Sequence, residues 1–124
     1  MRSLRLTLAA MALPIALLVS TAYAQDLHER SRQAVMTTND DLQKYVHRDN
    51  LTDDQRGRFD TAIREMREFT DDAAAGRWEH GREHLNVAIE NIEFVADNAS
   101  IGPHEREMLR EDIKHLREVR DGWR

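Results

Sequence analysis

Two histidines four residues apart, His80 and His84, are the pair best placed to do chemistry in this chain. On a helix that spacing puts both on one face, where two neutral imidazoles can share a transition metal such as copper or zinc. His115 is the third candidate. If the turn near Ile101 joins antiparallel helices, residue 84 faces residue 118, and His115 falls within about one helical turn of His84. Glu83, Glu111 and Glu118 could add oxygen donors. The competing reading is that these are solvated residues beside an apolar stripe. Measured from Leu85 at about 100° per residue, His84 lies about 100° from the stripe centre and His80 about 140°. Of the other histidines, His28 reads as a half-buried packing residue of the first helix, and His47 as a helix-end residue near the negative pole.

Other chemistries find little support. The chain has no cysteine, so it has neither a disulfide nor a thiolate metal site. No glycine-rich phosphate loop, Glu-x-x-His pair or Ser-His-Asp set stands out. The expectation is therefore a protein that is not an enzyme and has no catalytic residues.

The histidine pair sits on the stretch around which the rest of the chain is organised. Trp78, Gly81, Leu85, Ala88, Ile89, Ile92, Val95, Ala96 and Ala99 recur at steps of three and four, the period of one helix face. A helix with one apolar stripe must bury it against something. Three other segments can cover it. Residues 25–47 carry Leu27, Ser31, Val35, Thr38, Leu42, Tyr45 and Val46 on one face. Weak helix formers gather at Thr37-Thr38-Asn39-Asp40, so this segment is either one continuous helix, as its unbroken phase favours, or two pieces. Next, Thr52-Asp53-Asp54-Gln55 reads as a capping box. It opens a helix to about Ala75 with Phe59, Ala62, Ile63, Met66, Phe69 and Ala73 inward, and Gly76 permits its left-handed end. Pro103 suits the first position of the last helix, whose stripe is Leu109, Ile113, Leu116, Arg120 and Trp123. Four such helices joined by short turns predict an all-α, up-down-up-down four-helix bundle. The alternative architecture is two helical hairpins paired between chains.

Residues 1–24 read as a cleaved signal peptide: Arg2 and Arg5, an apolar run from Leu6 to Val19, then Ala22-Tyr23-Ala24. Residues 25–124 form a single helical-bundle domain, periplasmic or secreted, with no membrane attachment after cleavage. The leader holds two of the 18 basic residues and none of the 23 acids, so the mature chain carries a net charge of −7. That balance disfavours nucleic acid and anionic lipid as partners.

Gly76 to Glu90 resembles the repeated unit of small periplasmic metal-binding proteins: a glycine turn, then a helix with histidine and Ala-Ile-Glu. The resemblance implies an exported bundle that binds copper or similar ions, although those proteins carry far more histidines. Leu51-Thr52-Asp53-Asp54-Gln55 resembles the Leu-Thr-x-x-Gln motif of periplasmic stress chaperones of the Spy and CpxP type. That implies an all-helical dimer cradling unfolded clients. The motif has only a loose second copy here, Ile101-Gly102-Pro103-His104-Glu105. Two functions are thus expected: an interaction or stress-protective protein acting on clients or on itself as a dimer, or a soluble binder of copper or zinc through His80, His84 and His115.

Overall fold

The computed structural model describes residues 28–48, 50–98 and 100–122. The expected signal peptide, Leu27, Ala99 and Trp123 lie outside the described residues. The described residues form four helices: α1 over 28–45, α2 Asp53–Ala74, α3 Trp78–Asn98 and α4 Pro103–Gly122. Among the described residues there is no strand, and no helix is long and apolar enough to cross a membrane.

Helix α1 runs unbroken through Thr37-Thr38-Asn39-Asp40. Leu42 and Thr38 are fully buried there, and Val35, Tyr45 and Val46 join the core. Packing of that face overrides the weak propensity of the middle turn. His28, expected to be half-buried, is exposed, as is His47 in the turn after α1.

Thr52 caps α2. Its hydroxyl accepts the Gln55 amide at 3.1 Å, and the Gln55 side chain accepts the Thr52 amide at 2.9 Å. The helix ends in a Schellman motif. The Arg77 amide donates to the Asp72 carbonyl at 2.8 Å and the Gly76 amide to the Ala73 carbonyl at 3.1 Å, with Gly76 at φ +77°. This three-residue connection folds α3 straight back along α2.

Side-chain bonds fix the other pairings. Tyr45 of α1 donates to the Met108 sulfur of α4 at 3.4 Å, and Arg48 beyond α1 meets Glu105 at 3.1 Å. Earlier on α1, Asp41 bonds Asp112, further along α4. Positions ascend on one helix as they descend on the other, so α1 and α4 are antiparallel. Arg120 of α4 reaches Asn86 of α3 at 3.1 Å, and Arg106 reaches the Ala96 carbonyl at 2.8 Å, which makes α3 and α4 antiparallel too. Between the helices lies one core, with Phe59, Met66, Leu85, Ile92, Leu109 and Leu116 essentially inaccessible. Each such side chain contributes about 1.5–3 kcal/mol. The result is the expected four-helix bundle.

Candidate metal centre

The site lies where α2 ends and α3 begins. Phe69 and Ala73 face the core, and Asp72, about 60° around the helix from Phe69 on the side that meets α3, is covered so that only 5% of its side chain is exposed. Gly81 on α3 is buried against it. A Cβ at Gly81 would stand 3.3 Å from both the Asp72 Cβ and the Phe69 ring. The missing side chain thus lets α3 approach α2 closely. His80 and His84, on either side of Gly81, come into reach of the Asp72 carboxylate.

Asp72 Oδ2 is 2.7 Å from His80 Nδ1 and 3.6 Å from His84 Nε2. The two imidazoles meet edge to face at 4.9 Å between centroids. One donor atom from each of Asp72, His80 and His84 lies within 4.8 Å of the others. Donors about 2 Å from a tetrahedral metal stand about 3.3 Å apart, so closing around an ion takes small side-chain movements.

Outer contacts already aim these groups. His84 Nδ1 is hydrogen-bonded to Glu65 of α2. A carboxylate can only accept, so Nδ1 carries a proton, and in the neutral ring Nε2 is the lone-pair donor facing Asp72. Arg77 Nε and Nη2 hold Asp72 Oδ1 at 3.0 and 2.9 Å, leaving Oδ2 toward the histidines. The hydrogen bond from His80, with Arg77 beside it, pulls the Asp72 carboxyl below its usual range. The Glu65 hydrogen bond raises the His84 imidazole above its usual value, against the opposing effect of burial.

The structure brings His80 and His84 together and adds Asp72. His115 is outside this group: it is exposed on α4, its Nε2 3.4 Å from Glu111 one turn earlier. His84 turns toward α2, away from α4. Asp72, Glu65 and Arg77 were not read from the sequence. Asp72 did leave a signal, an acid beside the apolar stripe of α2, one turn before a glycine-ended helix.

A group of one carboxylate and two imidazoles able to hold a metal ion is therefore present in this all-α, four-helix protein. No family model matches the chain, and neither a curated protein nor a solved structure matches it.

Proposed function

We propose that the protein is a soluble, non-enzymatic binder of a divalent transition metal, Zn²⁺ or Cu²⁺, held by Asp72 Oδ2, His80 Nδ1 and His84 Nε2. The observation that carries this reading is the convergence of those three atoms while Glu65 fixes the His84 tautomer. Imidazole and carboxylate donors without sulfur suit these borderline ions and disfavour Cu⁺. On binding, the ion takes the place of the proton between His80 and Asp72. The leader-like residues 1–24 support a role in the periplasm or the exterior. The stress-protective reading draws on the exposed Arg-rich helices and on the likeness of Leu51 to Gln55, where the capping box gives Thr52 and Gln55 a local task.

Calorimetric titration with Zn²⁺ and with Cu²⁺ tests the proposal. The expected result is one ion per chain, lost in His84→Ala and in Asp72→Asn and retained in His115→Ala. Binding that survives His80→Ala combined with His84→Ala would overturn it.

A further inference from the structure

Building on that reading, we propose that the metal keeps one coordination position open to solvent, where it binds a small monocarboxylate with an apolar body. Four-coordinate sites whose protein supplies only three ligands leave the fourth to water or an exchangeable ligand. Here Glu65 is engaged by His84 Nδ1, and the second oxygen of Asp72 is engaged by Arg77. The donor group is covered on one side and open on the other. Asp72 and His84 are 5% and 25% exposed, whereas His80 is 62% exposed.

The open side adjoins a shallow concavity of about 600 Å³ lined by Gly76, Arg77, Trp78, Glu79 and His80. His80 belongs to both the donor group and this hollow. Its surface is mostly apolar. Trp78 is half-buried against the hydrophobic core, which holds its indole in place. Arg77 supplies the positive rim. Its Nε and Nη2 are tied to Asp72, yet the side chain is 61% exposed, so an anchored guanidinium faces the water. A carboxylate can place one oxygen on the metal and the other against this guanidinium, while its apolar part lies on Trp78. Glu79, on the same rim, repels additional negative charge and so favours a monoanion over a dianion.

The experiment uses the full chain loaded with Co²⁺, whose visible bands report coordination, titrated with benzoate and with acetate. Benzoate is expected to change the spectrum saturably and to bind about tenfold more tightly than acetate. Glu79→Gln, at an exposed position outside the donor set, is expected to tighten benzoate two- to threefold when the protein is saturated with Co²⁺. Trp78→Leu should bring benzoate down to the acetate level and leave acetate where it was. A Co²⁺ spectrum unmoved by both acids would overturn the open position and leave the metal centre standing. Equal affinity for the two acids would overturn the apolar contact. Failure to take up Co²⁺ at all would remove the centre and this inference together.

Discussion

Glu65 on α2 accepts the Nδ1 proton of His84 on α3, and this single hydrogen bond decides which nitrogen His84 can offer to a metal. Without it the neutral ring is free to carry its proton on Nε2, the atom that faces Asp72. Partners of this kind are worth roughly 10- to 100-fold in metal affinity. Glu65→Ala is expected to weaken Zn²⁺ binding by that factor, and Glu65→Gln, which still offers an accepting oxygen, by less. Competition against a chromophoric chelator measures both. Equal affinity for wild type and Glu65→Ala would show that His84 is oriented by something else.

Gly81 sets the spacing of the same two helices. Alanine there gains up to about 1 kcal/mol of helix propensity, but its methyl meets Phe69 and Asp72 at 3.3 Å, and overpacking costs about 1–3 kcal/mol. The Asp72 Cβ is fixed by its backbone, so the strain falls on the donor set. Gly81→Ala is expected to lower the melting temperature slightly and to weaken Zn²⁺ several-fold. Circular dichroism and the same competition assay would read the two effects separately.

Gly57 is the contrasting case. It lies exposed within α2, and a Cβ there would meet nothing within 4 Å. Gly57→Ala should stabilise the protein by about 0.5–1 kcal/mol in denaturant unfolding, with metal affinity unaltered. Thr52→Ala, which removes the cap of the same helix, should cost about 1 kcal/mol.

A second carboxyl group makes stability depend on pH. Asp112 on α4 is 4% exposed and hydrogen-bonded to Asp41 on α1, itself 8% exposed. Burial first, then Asp41, pushes the Asp112 carboxyl from 3.8 up to about 8, and Glu111 adds to this. Tyr45, Arg48 and Glu105 complete the charged and titratable surroundings of that seam. In the unfolded chain Asp112 gives up its proton near pH 4, whereas the folded protein keeps it to about pH 8. Stability from this group is therefore greatest at the acidic end, falls as pH rises between those values, and levels off above them. Asp112→Asn stays neutral and can still donate to Asp41. Melting temperatures at pH 5 and pH 8.5 should differ less in Asp112→Asn than in wild type. Parallel losses in the two proteins would mean that another group is responsible.

The helices and their inward faces were legible because period and punctuation agree. Thr52 and Gln55 mark one start, Gly76 one end and Pro103 another start, and the stripe of α3 is buried from Gly81 to Ala96. The continuity of α1 was open because tertiary cover, not local propensity, decides it. The site was half legible. Spacing along one helix brings His80 and His84 together, but a flank residue can meet the helix on either side, and periodicity does not say which. His84 was read toward His115 on α4; it meets Glu65 and Asp72 on α2. Asp72 and Asp112 share a signal that stripe reading passes over, a carboxylate on the flank of an apolar stripe that a neighbouring helix covers. Asp112 lies between Leu109 and Ile113 and is as buried as they are.

The short link through Gly76 has a kinetic consequence. Glu65, Asp72, Arg77, His80 and His84 all belong to one hairpin and are near neighbours along the chain. Closing so small a loop costs little entropy, and contacts of low sequence separation form early. The residues of the proposed centre can meet before α4 has docked, so an ion bound there by a newly emerged chain would seed the hairpin onto which the remaining helices condense.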